Sequence, residues 1–278
     1  MKNREPQPKD TPATLYKYRY FDSDGYHLNV LRNSSLYFSS FDKFNDPYDS
    51  TLKFDYTDDP PGTRKLGFQK FLREIYPKAP INEIENLVDQ RLKKINSSED
   101  YFEEVANFQT LKNKDKYGIC SLTPNPRNLL MWAHYSNNHA GFCVGIDAKK
   151  LLEEQYSLII KNMLLGLIKI HYTENYPKIN FFHSLNHPNS EAIIDLLVTK
   201  SIEWKYEDEY RLLLIDKTNH ELKFSQNIFS EIILGCNIKI KDKRNILSII
   251  KINNLNIPVY QSILSQAKFQ IDLEEITS

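Results

Sequence analysis

Large apolar and basic positions alternate in LYKYRY (15–20) with the two-residue period of a half-buried strand. GYHLNVLRN (25–33) then shifts to helical spacing, and SLYFSS (35–40) restores the strand pattern. FDKFNDPYD (41–49) is turn chemistry: Asn45 and Asp46 precede Pro47, whose ring confines Asp46 to extended geometry. From Thr63 to about residue 114 the apolar positions recur every three or four residues, through Leu66, Phe68, Phe71 and Leu72, then Ile84, Leu87, Val88 and Leu92, then Phe102, Val105 and Phe108. This predicts three successive helices.

Beyond that stretch YGICSLT (117–123), RNLLMWAHYSNN (127–138) and GFCVGID (141–147) resume a strand, helix, strand order. A short helix at about 149–155, the β-like run LLGLIKIHYT (164–173) and one helix over NSEAIIDLLVTKSIEW (189–204), capped by Asn189 or Ser190, come next. YEDEYRLLL, HELKFS and EIILGC read as strands, KDKRNILSIIKIN as a helix, and IPVYQSI and KFQIDLEE as closing strands. The sum is an α+β fold, a mixed and mostly antiparallel sheet with flanking helices and an α-helical insert at about 63–114. Residues 1–13 are expected to be a flexible lead-in, and 14–278 a single domain.

Composition narrows the possible functions. Of 278 residues, 36 are basic and 36 acidic, so no net field steers the molecule onto nucleic acid or an anionic membrane. Only 8 glycines occur, and neither GxGxxG nor GxxxxGKS is present, which argues against a phosphate-cradling loop. Cys120, Cys143 and Cys236 lie apart in apolar runs and read as reduced core residues, as in a cytoplasmic protein. No apolar run approaches the ~20 residues of a membrane span, and no signal-peptide core precedes LYKYRY.

The densest chemistry lies in KSIEWKYEDEYRLLLID (200–216). On a strand Glu207, Glu209 and Arg211 would share one face, where paired carboxylates compensated by an arginine suit acid/base or oxocarbenium chemistry. The bland alternative is an edge strand bearing a solvated charge ladder. On the helix of RNLLMWAHYSNN, Trp132 and Tyr135 lie at i and i+3, so they form an aromatic face with His134 and Tyr135 as polar tips; core packing is the competing role for Trp132 and Met131. Lys17 and Arg19 share a strand face and could clamp a pyrophosphate, or be ordinary surface charges. Ser39 could order Glu209 or contact a ribose, or simply end its strand. Asp46 and Asp49 could bind Mg²⁺ from the rigid FNDPYD loop, or cap its backbone amides.

Four stretches taken together, LYKYR, FSSFDKFNDPYD, SLTPNPRNLLMWAHYSNNHAGFCVGID and KSIEWKYEDEYRLLL, resemble the bacterial family known as domain of unknown function 2971. That resemblance implies a phage-defence or toxin-like setting. The order of a basic first strand, a helix, a serine-bearing second strand and a late ExE segment also resembles the core of ADP-ribosyltransferases. This second resemblance implies an enzyme that takes NAD as a substrate and modifies a macromolecular acceptor, protein or nucleic acid, or else hydrolyses NAD. Glu209 would then stabilise the oxocarbenium ion with Glu207 assisting, Tyr135, His134 and Trp132 would meet the nicotinamide side, and Arg19, Lys17, Ser39 and Arg211 would hold the remainder of the dinucleotide. Two other readings stand beside it. One is a Mg²⁺-dependent nuclease or phosphodiesterase using Asp46, Asp49, Glu207 and Glu209. The other is a non-catalytic sensor that docks a protein partner on the helical insert.

Overall fold

The computed structural model describes residues 11–50, 54–55, 62–95, 115–160, 164–180 and 190–276. In chain order these form β1 (Thr14–Arg19), a 3₁₀ turn at Tyr26–Leu28, α1 (Asn29–Arg32), β2 (Ser35–Phe38), β3 (Phe54–Asp55), α2 (Thr63–Ile75) and α3 (Ile81–Ile95). Then come β4 (Tyr117–Leu122), α4 (Leu129–Tyr135), β5 (Phe142–Asp147), α5 (Ala148–Ile160), β6 (Leu164–Lys169), β7 (His171–Thr173) and β8 (Ile179–Asn180). The last third holds α6 (Ser190–Leu197), β9 (Thr199–Ser201), a 3₁₀ helix at Ile202–Glu207, β10 (Tyr210–Ile215), β11 (His220–Lys223), β12 (Phe229–Leu234), α7 (Ile240–Ile252), β13 (Val259–Leu264) and β14 (Ile271–Glu275).

The chain divides into two compact units, one made of the residues up to Lys43, Asp115–Ile170 and Ile202 onward, the other of Phe44–Lys114 and His171–Ser201. In the first, a five-stranded sheet runs β1-β5-β12-β13-β14, antiparallel except between β12 and β13. A three-stranded antiparallel sheet places β10 between β4 and β6, and β2 pairs with β11. The fold is therefore α+β with a mostly antiparallel sheet, as the patterning predicts. Strand alternation sorts the two faces of the large sheet. Leu15, Val144, Ile146, Ile232 and Leu234 enter the main core with Leu36, Phe38, Leu212 and Leu214, whereas Tyr16, Tyr18, Cys143 and Ile233 turn toward Trp132 of α4. Gly141 leads into β5 where a Cβ would lie 2.0 Å from the Arg19 carbonyl oxygen, so only glycine lets this loop lie against β1. A single bridge between Tyr16 and Thr123 joins β1 to the segment after β4.

In the second unit α2 packs on α3 through buried Phe68, Phe71, Leu72, Ile84 and Val88. Two short parallel pairs, β3 with β8 and β7 with β9, complete it. The third helix expected in the 63–114 stretch falls outside the described residues.

Two boundaries differ from the sequence expectation. The helix expected over 189–204 ends at Leu197, because β-branched Val198 and Thr199 favour extended backbone and the Thr199 hydroxyl donates to the Asp195 carbonyl at 2.5 Å. Conversely α5 runs from Ala148 to Ile160, well past the expected end near 155. Among the described residues no helix is long and apolar enough to cross a membrane.

Candidate functional site

Glu207, Glu209 and Arg211 do not stand two apart along one strand. Ile202–Glu207 winds as a 3₁₀ helix, Asp208 takes a left-handed φ of 43°, and the strand begins only at Tyr210. The Asp208 amide donates to the Lys205 carbonyl at 3.2 Å, and its carboxylate lies 3.0 Å from the Lys169 ammonium. Aspartate is among the few residues that tolerate this backbone. The kink sends the two glutamates to different partners.

Nor is this an exposed edge. β10 is the middle strand of its sheet, Glu207 and Glu209 are each 3% exposed and Arg211 is 0% exposed, so a solvated charge ladder is excluded. Arg211 donates to both oxygens of Glu209, through Nε at 2.7 Å and Nη2 at 3.2 Å. A planar fork on a carboxylate is the strongest ordinary ion-pair geometry.

Glu207 instead accepts a 2.5 Å hydrogen bond from the Tyr135 hydroxyl. Burial, then the charge of Glu207, pushes the Tyr135 phenol far up, so it remains a neutral donor. Helix α4 presents Tyr135 because Asn128 caps it, accepting from the amides of Leu130 and Met131. The other end of the same Asn128 amide donates to the Tyr206 carbonyl at 2.8 Å. One asparagine thus ties the tyrosine's helix to the segment bearing Glu207. The sequence reading missed this residue, although its place just before an apolar helical run is a cap signal.

The aromatic face of α4 splits in two. Trp132 is fully buried, donates Nε1–H to the Pro126 carbonyl at 2.8 Å and meets Tyr18 edge-on at 5.1 Å, so it packs the core and cannot stack a ligand ring; Met131 is buried beside it. His134 is exposed, with its ring 6.2 Å from Trp204 and 6.3 Å from both Tyr135 and Tyr206. Together His134, Trp204 and Tyr206 make an aromatic shelf next to Glu207.

On β1, Lys17 donates to the Ser121 carbonyl at 2.7 Å, and Ser121 is the β4 residue paired with Arg211. Burial pulls the Lys17 ammonium down to about 8, with Arg19 and Arg211 adding to the fall and Glu209 opposing it. Neither Lys17 nor Arg19 is an ordinary surface charge. The Arg19 Nε is buried with no hydrogen-bond partner among the described residues, and burial lowers this guanidinium's pKa as well. Its neighbouring carboxylates are engaged elsewhere: Glu221 accepts from Asn29 and Ser35, and Asp22 from the amides of Tyr26 and His27. Ser39 turns its hydroxyl to the Ser40 carbonyl while its backbone bridges Ile119, the behaviour of a residue that ends a strand.

In the second unit, Asp46 accepts from the Tyr48 amide at 2.8 Å and so caps its own turn. Asp49 lies 3.4 Å from the Lys200 ammonium, with side-chain exposures of 3% and 5%, and accepts from the Ser50 hydroxyl. The loop spends both aspartates on itself and on Lys200. Among the described residues no group of three or more His, Cys, Asp and Glu is placed to hold a metal ion.

What this architecture defines is an α+β protein whose charged cluster sits at the head of a central antiparallel strand. Residues 131–212, from α4 to the start of β10, match the model of the family described as Protein of unknown function (DUF2971), the family named in the sequence expectation. No curated protein and no solved structure matches the chain.

Proposed function

We propose that the cluster at the head of β10 belongs to an ADP-ribosyltransferase-like enzyme that cleaves NAD, passing ADP-ribose to a macromolecular acceptor or to water, in a bacterial phage-defence or toxin role. The observation that carries this reading is the pair of buried carboxylates held apart by different partners, Tyr135 on Glu207 and Arg211 on Glu209. When the bond between ribose C1′ and nicotinamide nitrogen breaks, the nitrogen keeps the electron pair and the sugar acquires positive charge. A fixed carboxylate in a site of low dielectric stabilises that charge. Arg211 aims Glu209 through its fork, and the Tyr135 hydroxyl orients Glu207. Lys17 and Arg19 supply cations for a pyrophosphate, and the shelf of His134, Trp204 and Tyr206 supplies a surface for a flat ring.

Incubation with NAD labelled in its nicotinamide tests the proposal. Release of label by the wild type, reduced ~10²-fold or more in Glu209→Gln and in Glu207→Gln, is the expected result. A wild-type chain that neither binds nor turns over NAD sinks it.

The same burial favours one other reading, a non-catalytic recognition module in which the Glu209–Arg211 fork is structural. On that reading Glu209→Gln lowers the melting temperature while NAD remains untouched by wild type and variant alike.

A further inference from the structure

We infer that the second unit carries a separate binding site for a neutral nucleobase or nucleoside. A cavity of about 230 Å³ opens between the loop at Tyr48–Ser50, the chain following β7, and β9. That is below the ~300–1,000 Å³ of pockets for drug-sized ligands, so its occupant is one ring system and little more. Tyr48 and Tyr176 line it with ring centroids 5.8 Å apart at 62°, and Tyr176 donates its hydroxyl to the Tyr48 backbone carbonyl at 3.2 Å. Tyr48 is 58% exposed, leaving an aromatic face beside the cavity for a flat ligand to cover.

Two hydroxyls supply polar contacts at separate points of the lining, Thr173 opposite Ser201 and Thr199 opposite His171 in the β7–β9 register. The Thr173 oxygen accepts from the Asn175 amide, so its O–H is left to donate. The Thr199 hydroxyl donates to the Asp195 carbonyl, so its remaining lone pair is left to accept. A donor and an acceptor set apart in this way can meet different edges of one nucleobase.

Charge excludes the phosphorylated forms. Lys200, the cation in the lining, is already neutralised by Asp49, and Glu174 adds a negative charge at the rim. The cavity therefore lacks the net positive charge that a phosphate needs.

Calorimetric titration of the full chain with adenosine, guanosine, cytidine and uridine, and with their 5′-monophosphates, decides the matter. At least one nucleoside is expected to bind saturably at one site, more tightly than its monophosphate. Tyr176→Ala should weaken it ~tenfold, as loss of one stacking contact does, while Tyr176→Phe retains it. Tyr48→Ala, at an exposed position, gives the same comparison should Tyr176→Ala not fold. Absence of saturable binding at millimolar nucleoside, tighter binding of the monophosphate, or indifference to loss of either ring overturns the inference. Glu209→Gln should leave nucleoside binding unchanged, so failure here is distinguishable from failure of the NAD reading.

Discussion

Arg211–Glu209 in one unit and Lys200–Asp49 in the other are both buried ion pairs, yet they are built for different work. The first joins residues two apart through a fork at 2.7 and 3.2 Å on the central strand of its sheet. The second joins a loop to a short strand far along the chain, with the Lys200 ammonium 3.4 Å from the Asp49 carboxylate. A fork fixes the orientation of a carboxylate, whereas a point contact fixes only where a loop lies. The first is suited to presenting a charge, the second to holding the wall of a cavity in place.

The largest effect is expected from separating the fork. Arg211→Ala leaves Glu209 buried without its guanidinium and should cost about 3–5 kcal/mol in denaturant unfolding. Arg211→Lys keeps the charge and loses the planar geometry, so it should fall between. Equal losses in the two variants would mean that shape outweighs charge at this position.

This comparison also shows what the sequence could and could not reveal. β1, β2, β4, β5, β12 and α7 were legible because strict alternation or 3.6-residue spacing leaves little choice of face. That Tyr135, Glu207, Glu209 and Arg211 lie in motifs dense with polar tips was legible as well. The route by which they meet was not. YEDEYR alternates like a strand, and nothing in that alternation discloses that Asp208 adopts φ 43° and that Lys169 lies beside its carboxylate. Lys200–Asp49 depends on tertiary placement, which no local pattern encodes. For Trp132 the sequence favours core packing over a ligand contact, and its full burial agrees.

Lys17 adds a third case, a half-buried cation bonded to a carbonyl rather than to a carboxylate. Its pKa of about 8 in the fold lies below the ordinary 10.5. Between those two values the unfolded chain binds more protons, so this group's contribution makes stability rise as pH climbs from below 8 to above 10.5. The rise should amount to roughly 2–3 kcal/mol and be absent from Lys17→Met, which is therefore the more stable protein at pH 7. Parallel stability curves for both proteins across that window would mean that Lys17 is well solvated. If Lys17 also serves an anionic ligand, that ligand's affinity falls as pH passes through 8.

Breaking the point contact should matter less than breaking the fork. Asp49→Asn keeps the shape and the Ser50 hydrogen bond while removing the charge opposite Lys200, an expected loss of about 2 kcal/mol in the free energy of unfolding. A loss matching that of Arg211→Ala would erase the distinction between the two pairs.

The smallest expected effect probes the kink that separates the two glutamates. Asp208 contributes an exposed pair with Lys169, worth about 0–1 kcal/mol, and its left-handed backbone costs about 1–2 kcal/mol for a residue with a Cβ. Asp208→Gly removes both terms, so they offset and the melting temperature should barely move. Asp208→Ala removes the pair and retains the backbone cost, without the local hydrogen bonding that eases it for aspartate, and should be less stable than the glycine variant by about 1 kcal/mol. Glycine and alanine variants that lose stability equally would assign the kink to the Lys169 contact, and the backbone would then be following the ion pair.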